Sequence, residues 1–179
     1  RSSLPSPISH SPSPRGTRLR IRQCSARLGL LVGRAIGGQQ ISVKAADSIW
    51  NRLTTAIQPF TPETVLATPD ESLRACGFSA SKTAYLKNVA TFFANDDMPS
   101  HWDKYSDEEV IKALTTIKGV GSWTAEMFLI FHLMRPNVLP LDDLGLLKGI
   151  SVNYFSGEPV SRAEAREVAE AWAPFRSVA

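Results

Sequence analysis

Apolar side chains recur at intervals of three and four residues through most of the chain after Ser25, a pattern typical of helices with one buried face. Two segments show the pattern best, "SVKAADSIWNRLTTAI" and "SKTAYLKNVATFF". Their predicted apolar faces consist of Val43, Ala46, Ile49, Trp50 and Leu53 in the first segment and of Ala84, Leu86, Val89, Ala90 and Phe93 in the second. No segment alternates convincingly between apolar and polar residues. The pattern therefore predicts an all-α fold with short connections.

Several helix ends carry local signals. A hydroxyl side chain followed three residues later by glutamate is a capping box, and a hydroxyl residue just before proline also favours a helix start. The predicted starts are Ser106 with Glu109, Ser161 with Glu164, Thr61 before Pro62, and Thr68 before Pro69. Gly77 is predicted to end a helix, since glycine tolerates the left-handed backbone of a helix terminus.

The stretch "LTTIKGVGSWTAEMFLIF" predicts two helices joined by a glycine hairpin. A helix over Asp107 to Thr115 ends at "IKGVG", and Ser122 begins the next. Gly119 and Gly121 allow backbone torsions or close approaches that a side chain would obstruct. The unpaired amides of such a turn suit a phosphate oxygen, with Lys118 nearby to add positive charge. A plain turn between helices is the alternative.

Charge is distributed unevenly along the chain. The formal net charge is +3, but residues 1–46 hold eight lysines or arginines and no acid, which leaves −5 for the remainder. Residues 1–25 are rich in serine, proline and arginine and are predicted to be a disordered leader. A DNA-attracting arm, an organelle transit peptide and an incomplete gene model that lacks the initiating methionine all fit this segment.

Cysteine and histidine spacing argues against a metal centre. Cys24 and Cys76 lie far apart, and the three histidines share no ligand spacing, so we expect no metal, no cofactor and two reduced thiols. No apolar run approaches the length of a membrane span. An intracellular protein without membrane attachment is the expectation: cytoplasmic and associated with the nucleoid in a bacterium, nuclear or organellar in a eukaryote.

Two adjacent carboxylates follow the apolar helix, in "PLDDLGLLKG". An aspartate before an apolar periodic run is a common helix cap, so either Asp142 or Asp143 is expected to cap the next helix. The other carboxylate would then project toward the hairpin helix. Two carboxylates this close should also repel each other and raise the proton affinity of one of them.

These residues resemble the helix-hairpin-helix DNA glycosylase superfamily, most closely the alkylated-base branch typified by bacterial 3-methyladenine DNA glycosylase II. The resemblance extends from about residue 35 to about residue 178 through "GGQQISVKAA", "LRACGFSASKTAYLKNVA", the hairpin stretch, "PLDDLGLLKG" and "AEAWAPFRS". It implies that residues 26–179 form one domain of two helical lobes around a cleft. It also implies a monomeric enzyme that flips alkylated purines out of double-stranded DNA and hydrolyses their N-glycosidic bond.

The resemblance assigns roles residue by residue. Asp143 matches the catalytic carboxylate, which leaves Asp142 as its neighbour and as a candidate cap. The residues implied to bind DNA around the hairpin are Lys118, Gly119, Gly121, Ser122 and Thr124, the last through its hydroxyl group. Gln40 matches the side chain that fills the gap left by the flipped base, with Gln39 near the mouth of the substrate pocket. A polar connecting loop is the alternative for both glutamines.

Trp123 stands where strand-cleaving family members carry a Schiff-base lysine, so the resemblance implies a monofunctional enzyme without lyase activity. Trp123 and Met127 would line the substrate pocket, where an aromatic face attracts a cationic methylated purine. Ordinary core packing is the alternative for Trp123.

The chain also departs from the family pattern. Residues before about 35 do not resemble the family, and the chain stops where relatives continue into a helix that carries aromatic pocket residues. We therefore expect a chain truncated at both ends, without that C-terminal helix. Two alternatives stay open: a non-catalytic DNA-binding module, and a glycosylase for another lesion such as uracil or hypoxanthine.

Overall fold

The computed structural model describes residues 43–95 and 102–179, and these contain helices and no strands, which confirms the all-α prediction. The leader, Gln39 and Gln40 lie outside the described residues. The α-helices are α1 Val43–Ala56, α2 Pro62–Ala67, α3 Asp70–Ala75, α4 Ala80–Ala94, α5 Asp107–Thr115, α6 Ser122–Phe131, α7 Leu144–Tyr154 and α8 Arg162–Val168. Short 3-10 helices cover Trp102–Lys104 and Ala169–Trp172.

Two groups of buried side chains form the core, and α4 contributes to both. The N-terminal cluster consists of Trp50, Leu53, Ile57, Val65, Leu73, Cys76, Phe78, Leu86 and Ala90. The C-terminal cluster consists of Val89, Phe93, Trp102, Val110, Leu114, Ile117, Val120, Ala125, Phe128, Leu129 and Val138. Because α4 places apolar residues in both clusters, it lies between them. The apolar residues of the hairpin belong to the C-terminal cluster.

Most helix signals are confirmed. Ser106 and Ser161 each accept the backbone N–H of the glutamate three residues later, and each glutamate accepts the N–H of its serine. Thr61 caps α2 with Pro62 in the first turn. The helix predicted over Asp107 to Thr115 has those bounds. Gly77 follows the last turn of α3 with φ +106°.

Two predictions at this level are wrong. Thr68 does not cap α3: its hydroxyl donates to the Thr64 carbonyl oxygen at 2.7 Å, so it closes α2 instead, and Pro69 precedes α3 without a side-chain cap. Ala84 is exposed, and Thr83 is buried in its place on the inner face of α4. Spacing alone could not distinguish these neighbours, because both fit the width of an apolar helical face.

Candidate active site

The hairpin between α5 and α6 is anchored by its own apolar side chains. Ile117 and Val120 are each 6% exposed and belong to the C-terminal cluster, while Lys118 and Gly121 between and beside them are exposed. The Val120 N–H donates to the Ile117 carbonyl oxygen at 3.0 Å, which closes the turn. The hairpin therefore presents a cation and a stretch of backbone to the surface while its apolar residues hold it in place.

Helix α4 packs against the hairpin and fixes its turn. Gly119 has φ +103°, and a side chain there would overlap the Tyr85 ring, so the turn needs glycine for both torsion and space. The Asn88 side-chain amide donates to the Lys118 carbonyl oxygen at 3.1 Å. Gly121 differs, because its φ is −94° and a Cβ would meet no atom within 4 Å. The close approach predicted for the glycines is thus confirmed at Gly119, whereas no protein atom crowds Gly121.

The loop between α6 and α7 is held in place before it reaches the carboxylates. Val138 is buried, and its N–H donates to the Ser177 hydroxyl at 2.9 Å. The same hydroxyl donates to the Arg135 carbonyl oxygen at 2.7 Å, and the Arg135 guanidinium donates to the Tyr105 carbonyl oxygen at 2.7 Å. These contacts fix the path of the chain that leads to Asp143.

Asp143 joins the start of α7 to the hairpin helix. Its N–H donates to the Pro140 carbonyl oxygen at 2.9 Å, which turns the chain into the helix. One carboxylate oxygen, Oδ1, accepts the Leu146 N–H at 2.9 Å and caps α7. The other, Oδ2, accepts the Trp123 indole N–H at 2.8 Å. A carboxylate can accept about four hydrogen bonds, so these two fix its orientation and still leave capacity for another partner.

Asp142, a candidate cap in the sequence, does not cap α7. Asp143 caps α7, and Asp142 instead forms an ion pair with Arg162 at 2.6 Å and accepts the Ser122 hydroxyl at 3.4 Å. The Pro140 turn places Asp143, rather than its neighbour, beside the free amides of the helix. Capping and the contact with Trp123 coincide in one residue because the two carboxylate oxygens point in different directions.

A third acid, Glu126 of α6, shares this region. Burial, followed by the charges of Asp142 and Asp143, raises the pKa of the Glu126 carboxyl group to about 7. Its Oε2 atom is enclosed and has no hydrogen-bond partner among the residues that the structure describes. Sequence reasoning did not single out Glu126, and the repulsion expected between the two aspartates themselves stays a prediction.

The remaining predicted residues have different surroundings. Thr124 is 1% exposed, which disfavours a direct contact of its hydroxyl with a phosphate, and this contact stays a prediction. Ser122 is exposed and Met127 is half-buried one turn after Trp123. Trp123 is also half-buried, and its indole N–H donates to Asp143, so this side chain does more than pack in the core. The roles of Ser122 and Met127 stay predictions.

Sequence reasoning missed Glu126, Asn88, Tyr85 and Arg162. Glu126 had a visible signal, since it is the single charged residue in the apolar helix "SWTAEMFLIF" and follows Trp123 by three positions. The other three act across 20 or more residues of chain, where spacing gives no information.

Among residues 43–95 and 102–179, no group of three or more histidine, cysteine, aspartate or glutamate side chains could hold a metal ion. No helix in this part of the chain is long and apolar enough to cross a membrane. Cys76 is buried and forms no disulfide.

Comparison with known families decides what this arrangement belongs to. Residues 34–174 match the model of the HhH-GPD superfamily base excision DNA repair proteins. The chain belongs to this family. The match spans both core clusters, the hairpin and Asp143, and it confirms the resemblance seen in the sequence motifs.

Two curated relatives of this HhH-GPD chain come from yeasts. DNA-3-methyladenine glycosylase 1 of Schizosaccharomyces pombe is 38% identical over 151 residues, which cover 82% of this chain and 66% of that protein. DNA-3-methyladenine glycosylase of Saccharomyces cerevisiae is 36% identical over 132 residues, which cover 68% of this chain and 44% of that protein. The chain thus spans about two thirds of the first relative and less than half of the second.

Solved structures share the HhH-GPD fold. The S. pombe 3-methyladenine DNA glycosylase in complex with abasic DNA superimposes with a TM-score of 0.78 at 36% identity, over 84% of this chain and 75% of that one. A DNA-3-methyladenine glycosidase from Bacillus halodurans gives a TM-score of 0.72 at 33% identity, over 84% and 71% of the two chains.

Proposed function

We propose that this protein is a base excision repair DNA glycosylase that removes alkylated purines of the 3-methyladenine type from duplex DNA. Family membership and the relatives named 3-methyladenine glycosylases support the reaction class. The observation that carries the assignment to residues is the 2.8 Å contact between Trp123 on the hairpin helix and Asp143. It joins the proposed DNA-binding element to a fixed anion.

The hairpin grips the DNA backbone. Lys118 and the backbone around Gly121 are exposed, and the turn beneath them is held by Tyr85 and Asn88. Backbone amides and one cation contact phosphates without reading bases, as a protein that searches any sequence for damage requires. The absence of a Cβ at Gly121 leaves space for a phosphate oxygen to approach the chain.

Asp143 supplies the charge that the reaction needs. When the N-glycosidic bond breaks, its electrons leave with the base, and positive charge develops on the sugar ring. A carboxylate already fixed by Trp123 and the Leu146 N–H stabilises that charge without reorganising. Water then adds to the sugar carbon and loses a proton, which leaves an intact abasic site. A partly dry site strengthens the stabilisation of the sugar charge by Asp143.

The enzyme is monofunctional in this proposal. A lyase needs an amine that forms a Schiff base with the sugar, and the residue at the matching position is Trp123, which has no such group. Trp123 instead orients Asp143 and offers its ring face to the flipped base.

Replacement of Asp143 by asparagine tests the assignment. Asparagine is also a good helix cap, so Asp143→Asn keeps the cap of α7 while it removes the negative charge and the acceptor of the Trp123 N–H. We expect release of 3-methyladenine from a duplex to fall by about 100-fold or more, while binding to a duplex with an abasic analogue is retained. Asp142→Asn is the neighbouring comparison: it weakens the Arg162 ion pair but keeps Asp143, so its activity should fall far less than that of Asp143→Asn. Base release by Asp143→Asn at the wild-type rate would contradict the role.

A panel of lesions tests the substrate class. Duplexes containing 3-methyladenine, 1,N6-ethenoadenine, hypoxanthine or uracil are incubated with the protein and then treated with alkali. We expect breaks at 3-methyladenine only after alkali, and no covalent complex with borohydride. Breaks only at another base would change the substrate. Binding without breaks at any lesion would indicate a non-catalytic module, and a borohydride-trapped complex would contradict the monofunctional assignment.

A further inference from the structure

Glu126 lies on the side of α6 that meets the two aspartates. Residues three and four apart share a helical face, so Glu126 lies next to both Trp123 and Ser122. Trp123 donates to Asp143, and Ser122 donates to Asp142. The acid thus lies one turn from both points at which α6 holds the loop that carries the carboxylates.

An ionised Glu126 would add a third negative charge beside Asp142 and Asp143, whose charges both act on it. It lines an open pocket whose other charged groups are Asp142, Arg162, Arg166, Glu170 and Arg176, and Asp143 also acts on it through space. Arg162 is already paired with Asp142. The enclosed Oε2 atom of Glu126 has no donor among the described residues, so ionisation would leave buried charge without a hydrogen bond.

We infer that Glu126 is a positioning residue for Asp143: its neutral carboxyl group lets the Asp142–Asp143 loop rest against α6, and its ionisation loosens that loop. This inference deepens the proposed function and depends on it for the role of Asp143. Glu126 needs no contact with the DNA substrate, because it acts through the neighbouring aspartates.

When Glu126 ionises, the contacts of Asp142 would break before those of Asp143. The Ser122 hydroxyl lies 3.4 Å from the Asp142 carboxylate, which is a long and weak hydrogen bond. Arg162 has a side chain that is 68% exposed, so water competes with its ion pair. A third negative charge beside these contacts repels Asp142 and, through the adjacent peptide bond, moves Asp143 away from the Trp123 indole.

The pKa supports this reading. Burial and the two aspartates raise the pKa of Glu126 to about 7, so its charge changes in the neutral range. The groups that face it from the loop, from α8 and from the C-terminal segment are those named above. The acids among them favour its neutral form and the arginines its charged form, and the net shift of its pKa is upward. The loop should therefore be held firmly below that pKa and loosened above it.

The indole N–H signal of Trp123 in a nitrogen-15 NMR spectrum of the full chain tests the inference directly. The four tryptophans give four indole signals, and Trp123→Phe identifies the one that matters. We expect the Trp123 signal of the wild type to shift with a midpoint near pH 7, following the pKa of Glu126. Glu126→Gln, which imitates the neutral acid, should abolish this titration. Glu167→Gln, which removes an exposed acid on α8, should leave it unchanged.

Base release provides the functional readout. In single-turnover assays, the wild-type rate should fall several-fold as the pH rises through the midpoint, and Glu126→Gln should keep its rate. A Trp123 titration that persists in Glu126→Gln, or one that is absent from the wild type, overturns the inference. Absence of base release from every variant instead overturns the proposed function, because the NMR titration decides the positioning role without turnover.

Discussion

Three carboxylates of the site have the same chemistry and different surroundings, and the surroundings decide what each can do. Asp143 has two N–H donors, Asp142 has a guanidinium and a hydroxyl, and the enclosed oxygen of Glu126 has no donor among the described residues. Burial and then the charges of the two aspartates raise the pKa of Glu126, and no donor offsets them at its enclosed oxygen. The division of roles therefore arises from the surroundings of each carboxyl group rather than from residue type.

Glu126 should make the stability of the fold depend on pH. Its pKa is raised from 4.5 to about 7 in the folded chain, so the folded state keeps the proton that the unfolded state has lost between these values. The stabilisation is complete below the lower value, and it is lost as the pH rises through the higher one. Because the side chain is only half-buried, we expect about 1 kcal/mol rather than the full ~3 kcal/mol.

Urea unfolding at a series of pH values measures this effect. Glu126→Gln should be more stable than the wild type by about 1 kcal/mol above the raised pKa and should gain nothing below the unfolded value. The exposed Glu167→Gln serves as the control, with the same stability as the wild type throughout. Equal stability of Glu126→Gln and the wild type at every pH would argue against a buried, neutral Glu126.

At the residue level, the sequence predicted the members of the site better than their contacts. The resemblance placed Asp143 and Trp123 in the same site, and the structure brings them into contact. It did not predict that Asp143 is also the cap, because the choice between adjacent aspartates depends on the Pro140 turn. Nor could it reveal Arg162, whose ion pair crosses 20 residues of chain.

Among the elements, the hairpin is the one whose shape was most fully predictable. Its boundaries follow from local signals: a capping box at Ser106, apolar periodicity through α5 and glycine at the turn. Thr68 shows the limit of such signals, since the same hydroxyl can close one helix or open the next. The support from Tyr85 and Asn88 was not predictable, because it comes from α4, which is distant in sequence.

Replacement of each hairpin glycine by alanine should affect stability and DNA binding differently. Gly119→Ala forces a positive φ on alanine and drives its methyl group into Tyr85, so we expect a loss of about 2 kcal/mol or more in unfolding free energy, and weaker DNA binding as a consequence. Gly121→Ala meets no protein atom and has an ordinary φ, so it should lose only the preference for glycine over alanine at the N-cap of α6, about 1 kcal/mol or less.

DNA binding distinguishes the two variants further. If phosphates approach the chain at Gly121, then Gly121→Ala should weaken binding to any duplex while the melting temperature falls far less than in Gly119→Ala. Thermal melting and fluorescence anisotropy with undamaged and abasic duplexes measure both quantities. Unchanged affinity in Gly121→Ala would place the phosphate contact elsewhere on the hairpin.

The packing of both core clusters depends on α4, which lies between them and contributes to each. Leu86 and Ala90 pack in the N-terminal cluster, while Val89 and Phe93 pack in the C-terminal cluster. The sequence predicted helices with apolar faces, but it could not show that one helix has two buried sides. The exchange of Ala84 for Thr83 on the buried surface reflects this, because a helix buried on two sides is not described by one narrow face.

A shared helix predicts that the two clusters unfold together. Leu53 in the N-terminal cluster and Leu114 in the C-terminal cluster are both 0% exposed, so replacement of either by alanine should cost about 2–5 kcal/mol. Intrinsic fluorescence sums the four tryptophans, which include Trp50 of the N-terminal cluster and Trp102 of the C-terminal cluster, and circular dichroism reports on all helices. In each variant we expect both probes to follow one transition, since loss of either cluster removes the packing of α4.

Val152→Ala provides the control, because Val152 is 58% exposed and its loss should change stability by less than about 0.5 kcal/mol. Separate transitions in Leu53→Ala, with the N-terminal cluster melting first while the hairpin layer remains folded, would show that α4 does not couple the clusters. In that case the part of the chain that carries the hairpin and Asp143 would be stable by itself, and core substitutions around Leu53 would leave the geometry of the site intact.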